Sequence, residues 1–123
     1  MKLSDALAII ARSRPGMLTA DEVISAVSAL DSAVYNELFM RHLPRPEHDF
    51  EGYTSDTPSD TALLIDDAHA DIYRYFLEAR ADHESGETPR YNHSVTLFNS
   101  AWDEYAKSYG RDHRPVGQSG WKL

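Results

Sequence analysis

The stretch that decides the fold is RYNHSVTLFNSAWDEYAKSY, residues 90–109, which places five aromatic side chains within twenty positions. On a helix, its large apolar side chains recur at spacings of 4, 3, 4, 3 and 4 residues, which aligns them as the a and d positions of a coiled coil are aligned. Burying one such side chain stabilises a protein by roughly 1.5–3 kcal/mol. The pattern therefore predicts a packing seam, in the core or between subunits, rather than a ligand site. The seam consists of Tyr91, Val95, Phe98, Trp102, Tyr105 and Tyr109.

Two asparagines lie on the same predicted helix. Asn92 and Asn99 are seven residues apart, so a helix places both on one face. One interpretation is a solvated face. The other is hydrogen bonding to the backbone of a neighbouring element, because an amide side chain both donates and accepts. The sequence leaves both interpretations open.

Two helices are predicted before this stretch. The first covers about residues 3–13 and ends before Pro15, which disfavours helix in the residue preceding it. The second covers about residues 20–42, and its start is marked by a capping box in which Thr19 and Glu22 satisfy each other's backbone amides. Its apolar residues form one stripe: Val23, Val27, Leu30, Val34 and Leu38.

The third and fourth helices form the second half of the chain. The third is predicted over about residues 67–85, with Gly86 as its left-handed stop. Thr88 and Pro89 then suit the start of the fourth helix, which is predicted to end at Tyr109. The expected buried face of the third helix comprises Ala68, Ile72, Tyr75, Phe76 and Ala79.

A loop and a tail complete the predicted fold, a mainly α bundle of about four helices. Residues 44–65 are rich in Pro, Gly, Ser, Thr and Asp, which predicts an extended loop with room for a short β-hairpin around 49–53 and 61–65. A loop of this length is used for contacts or is disordered, so it is a candidate interaction arm. The helical domain is expected to cover 1–110, and 111–123 to form an extended, poorly anchored tail.

Composition narrows the function classes. The chain has 123 residues, enough for one domain, and 20 acidic against 12 basic side chains give a net charge of −8. Such a charge disfavours binding to nucleic acid by phosphate neutralisation. The absence of cysteine excludes disulfides and thiolate chemistry and suits a reducing compartment. No apolar run approaches the roughly 18 residues of a membrane span, and MKLSDALAIIARSRPG indicates a helix rather than a signal peptide.

The charged clusters of the sequence are weak candidates for sites. Basic pairs occur at Arg12/Arg14, Arg41/Arg45 and Arg111/Arg114, and scattered solvated charge is the favoured interpretation of them. Asp66, Asp67, His69 and Asp71 cluster at the start of the third helix, where acidic residues suit the positive helix end, and this is the favoured interpretation. A metal site of a small hydrolase is the alternative for that group. No motif of nucleophilic, zinc, phosphate-loop or dinucleotide chemistry occurs, so no enzyme activity, cofactor or metal is predicted.

A resemblance to a known family rests on IYRYFLEARADHESGETPRYNHSVTLFNSAWDEYAKSYGRDHRP, residues 72–115, and on the earlier helix VYNELFMRH, residues 34–42. The first stretch contains the successive motifs R-Y-N, L-F-N, an aromatic-rich E-Y helix and an R-x-H-x-P exit. In these features, over about two-thirds of its length, the chain resembles the head–tail connector, or head-completion adaptor, proteins of tailed bacteriophages.

The resemblance implies a structural virion protein of the neck, assembled in the bacterial host cytoplasm. It implies a helical protomer in a twelve-subunit ring under the portal protein, where the ring extends the DNA channel without binding DNA specifically and offers a platform to the next neck or tail protein. An acidic regulatory module, such as a DNA-mimic inhibitor, is the alternative. The tail is then expected to dock on a partner, and the residues expected to make this contact are Arg111, His113, Arg114, Pro115 and Trp121. The sequence leaves open whether Trp121 is an anchor for the partner or incidental.

Overall fold

The computed structural model describes residues 1–116, and the chain is mainly helical, as the sequence predicts. Within residues 1–116, the regular structure consists of four α-helices and one two-stranded antiparallel sheet, together with 3₁₀ turns at Phe39–Arg41 and Asp67–His69. The helices are α1 (Leu3–Ser13), α2 (Ala20–Glu37), α3 (Asp71–Glu84) and α4 (Thr88–Asp112), and the strands are β1 (His42–Leu43) and β2 (Arg114–Pro115).

Helix α2 starts as predicted and ends early. The Thr19 hydroxyl accepts from the Glu22 amide at 3.1 Å, and the Glu22 carboxylate accepts from the Thr19 amide at 2.9 Å. All five residues of its predicted apolar stripe are buried. The predicted extension to residue 42 is wrong, because the chain turns at Phe39–Arg41 and becomes extended where β1 pairs with β2.

Helices α3 and α4 form an antiparallel hairpin. Gly86, with a φ of 73°, provides the predicted left-handed turn between them. The 3₁₀ turn at Asp67–His69 precedes α3, so this helix begins at Asp71 and not at residue 67 as predicted. The predicted end of α4 at Tyr109 is also wrong, since the helix runs through Gly110 to Asp112. At 25 residues it is about 37 Å long.

The chain after Gly110 is anchored as far as Val116, contrary to the prediction of a loose tail from residue 111. Strand β2 pairs with β1, and the Val116 amide donates to the Arg41 carbonyl at 2.9 Å. The His113 ring stacks on Tyr109, with 3.8 Å between ring centroids. Trp121 lies outside the described residues.

The long loop lies on the bundle instead of projecting as an arm. The amides of Ser4 and Leu63 donate to the carbonyls of Ser59 and Met1, each at 2.9 Å, which fixes the loop to the start of α1. Leu63 and Ile65 are buried. The predicted placement of a hairpin within this loop is wrong, because its backbone pairs with α1 and the sheet forms elsewhere.

The core lies between α1, α2, α3 and the end of the loop. Tyr73 and Leu77 on α3 are fully buried, whereas the predicted core residue Ala68 is exposed and Tyr75 is half-buried. Ser94 and Tyr105 are the buried residues of α4. Helix α4 therefore lies on the outside of the core.

Candidate interaction surface

The predicted aromatic seam lies along the face of α4 that contacts α3, and most of it remains accessible. Tyr105 is 4% exposed, whereas the other five members are half-buried. Phe98 contacts Phe76 of α3 with ring centroids 5.5 Å apart, and Trp102 stacks on Phe98 at 6.2 Å. Tyr109 stacks on Phe39 at 5.2 Å. The seam of α4 thus contacts α3 near Phe98 and the 3₁₀ turn after α2 near Tyr109.

The N-terminal half of the seam borders a surface groove of about 450 Å³. The Arg80 guanidinium lies over the Phe76 ring at 5.7 Å, so a cation stands beside an apolar floor. We call this feature the aromatic groove; its lining residues are Phe76, Ala79, Arg80, His83, Tyr91, Val95, Phe98 and Asn99.

The asparagines do not fix α4 to its neighbours. Asn92 and Asn99 are exposed, and within residues 1–116 neither side-chain amide hydrogen-bonds another element. The solvated-face interpretation therefore fits Asn92. Asn99 stands at the rim of the aromatic groove, where its amide is accessible to a partner.

Pairing of β1 with β2 joins two arginine pairs that are far apart in sequence. Leu43 lies opposite Arg114, and these strands form the end of the molecule at which α4 terminates. The sequence predicted scattered charge, because the pairing that brings these arginines together joins segments about seventy residues apart. We call it the arginine end; it consists of the exposed residues Arg41, Arg45, Arg111 and Arg114.

A charged cluster missed by the sequence reasoning joins α1, α3 and α4. Arg14 donates to both carboxylate oxygens of Asp82, at 2.8 and 3.2 Å, and the Ser94 hydroxyl donates to Asp82 at 3.1 Å. These contacts lower the pKa of Asp82, with the Arg14 hydrogen bond as the main cause. Asp82 is 1% exposed, so the pair is a structural clamp and is not accessible to a ligand.

A second buried carboxylate holds the loop against α2 and α3. Asp31 is fully buried and accepts from the hydroxyls of Tyr53 and Tyr73, each at 2.6 Å, and from the Leu64 amide at 3.0 Å. Burial raises the pKa of Asp31, and these hydrogen bonds oppose the rise. The signal in the sequence is an acidic residue four positions after Val27, within the apolar stripe.

The acidic group for which metal binding is the alternative interpretation does not converge. Asp66 pairs with His69 at 2.9 Å, whereas Asp67 pairs with the amino group of Met1. Within the described part of the chain, no three His, Cys, Asp or Glu side chains gather as a metal site requires. Among residues 1–116, no helix is both long and apolar enough to cross a membrane.

Comparison with known proteins gives no match among family models, curated proteins or solved structures. Of the sites described, the accessible ones are the aromatic groove and the arginine end. Both are surfaces suited to protein contacts.

Proposed function

We propose that this protein is a head–tail connector of a tailed-phage virion, which assembles as a ring under the portal protein. The observation that carries the proposal is the half-buried aromatic face of α4. In a lone protomer the aromatic groove on this face is exposed to water, whereas a neighbouring protein in the ring assembly would cover it. The same helix holds the R-Y-N and L-F-N motifs in which the chain resembles the connector family.

The charge distribution supports a channel role. Residues 47–67 contain seven acidic side chains and no Lys or Arg, and all seven are exposed. A negative surface of this kind repels DNA phosphates, so DNA could pass along it without binding. In this proposal the ring extends the portal channel and presents a platform to the downstream neck protein.

The test is co-expression with the portal protein of the same genome, followed by size-exclusion chromatography with light scattering. We expect a ring that co-migrates with the portal. Phe98→Ala should weaken this association by about tenfold or more, as expected of an aromatic side chain central to an interface. His93→Ala, an exposed change on the same helix, is the control and should leave it unchanged.

Two results would count against the proposal. A protein that never binds the portal would overturn it. A tight one-to-one complex with a host protein, without a ring, would favour the acidic regulatory module instead.

A further inference from the structure

The arginine end surrounds the most exposed large apolar side chain of residues 1–116. Leu43 is 43% exposed and lies in β1 between Arg41 and Arg45. Residues 40–46 and 109–116 contain four arginines and a single acidic residue, although the whole chain has a net charge of −8. An apolar centre bordered by arginine is typical of protein interfaces, in which arginine is enriched.

The opposite end of the molecule has a pocket of complementary charge. The start of α2 and the end of α3 enclose about 350 Å³ there. Three carboxylates and one guanidinium line the pocket, and Leu18, which packs on the core, provides its apolar surface. We call it the acidic pocket; its lining residues are Leu18, Asp21, Glu22, Ser25, Arg80 and Glu84.

One copy of the chain cannot bring these two surfaces together. Arg80 lines the acidic pocket and also lines the aromatic groove beside Tyr91 of α4. Tyr91 and Arg111 are twenty residues apart on α4, so about 30 Å of helix separates the acidic pocket from the arginine end. A contact between the arginine end and the acidic pocket therefore requires two copies.

We propose that the arginine end of one copy docks on the acidic pocket of a second copy, with Leu43 seated against Leu18. The inference rests on the proposed function, since it supplies the contact between ring subunits. The two surfaces differ, so the contact is head-to-tail, and a repeated head-to-tail contact builds a ring or a filament. Equal charges repel when two arginine ends meet, which favours this orientation over a symmetric dimer.

A second copy fits the arginine end better than nucleic acid does. The exposed leucine at its centre has no use in phosphate contacts, and a net charge of −8 opposes approach to DNA. The acidic pocket, by contrast, supplies both opposite charge and an apolar surface.

Charge reversal tests the contact. Arg45→Glu/Arg114→Glu makes both ends acidic, and Asp21→Lys/Glu84→Lys makes both ends basic. Each variant alone should weaken self-association by about 100-fold or more in sedimentation velocity. An equimolar mixture of the two should restore assembly, because every contact then joins opposite charges. The control Asp49→Lys/Asp56→Lys has the same net-charge change as the second variant, at exposed sites elsewhere, and should assemble like the wild type.

Cross-linking gives an independent readout, because the chain contains no cysteine. Leu43→Cys/Leu18→Cys should yield a ladder of disulfide-linked oligomers under oxidation. Leu43→Cys/Ala29→Cys, with the second thiol on the exposed face of α2, should not.

Three outcomes would overturn the inference. The first is that the charge-reversed variants assemble as well as the wild type, and the second is that the wild type stays monomeric at every concentration. The third is that the wild type binds a DNA duplex without self-associating and that Arg45→Glu/Arg114→Glu abolishes this binding. The connector proposal is judged separately by portal binding. A ring on the portal that tolerates charge reversal would refute this contact and leave the proposed function standing.

Discussion

Removal of the Tyr73 hydroxyl should destabilise the protein more than removal of any comparable group. This fully buried hydroxyl donates to Asp31 at 2.6 Å and accepts from the Ile65 amide at 2.9 Å. Tyr73→Phe deletes a hydrogen bond to a carboxylate, which contributes about 1.5–3 kcal/mol, and leaves a buried amide unsatisfied at a cost of about 1–3 kcal/mol. We expect the free energy of unfolding to fall by the sum of these two contributions, about 2.5–6 kcal/mol.

Tyr53→Phe is the matched control. Its hydroxyl donates to the other oxygen of Asp31 at the same 2.6 Å, and its loss leaves no backbone amide without a partner. The expected cost is about 1.5–3 kcal/mol. Urea unfolding followed by circular dichroism measures both variants, with the m-value checking that the transition stays two-state. A Tyr73→Phe cost equal to or below that of Tyr53→Phe would refute this prediction, because it would show that the hydrogen bond from the Ile65 amide contributes nothing.

Three further predictions concern packing, backbone and charge. Phe98→Ala should lower the free energy of unfolding by about 1–2 kcal/mol, below the 3–5 kcal/mol of a fully buried phenylalanine, because this ring is half-buried. In thermal unfolding, Gly52→Ala should be more destabilising than Gly16→Ala. Both have positive φ, but only at Gly52 would the new Cβ lie 2.8 Å from a heavy atom, the Ser28 hydroxyl oxygen. The lowered pKa of Asp82 stabilises the fold above about pH 4 and this stabilisation is lost as the pH falls below that value, so the advantage of wild type over Asp82→Asn should shrink there in urea unfolding at successive pH values.

Local signals predicted much of the fold. The capping box at Thr19 and Glu22 depends on residues three apart, and the stop at Gly86 depends on one backbone conformation. The apolar stripe of α2 is read from its spacing alone. The bounds of α1 and the class of the fold follow from signals of the same kind.

Several of the wrong predictions share a physical cause, which is dependence on contacts between distant segments. Helix α2 stops short because residues 42–43 pair with 114–115, some seventy positions later. The same pairing anchors the segment predicted to be loose and creates the arginine end. Asp31 and Asp82 are buried because partners from other elements satisfy them, and no spacing within one helix reveals such partners.

The packing of the helices explains why the seam of α4 is available for a partner. Asp82 binds α3 to α1 through Arg14, and Asp31 binds α3 and the loop to α2. Helix α4 adds the buried Ser94 and Tyr105, and the rest of its seam packs on the surface of this core.

Even where α4 lies against α3, its side chains Tyr91, Val95 and Phe98 stay half-buried, because α3 contacts them from one side only. The other side of these side chains remains accessible, and a change such as Phe98→Ala can weaken assembly while the core stays folded. The stretch at 90–109 therefore has the composition of a core helix because it requires packing from two sides, one supplied by α3 and the other, we propose, by another protein.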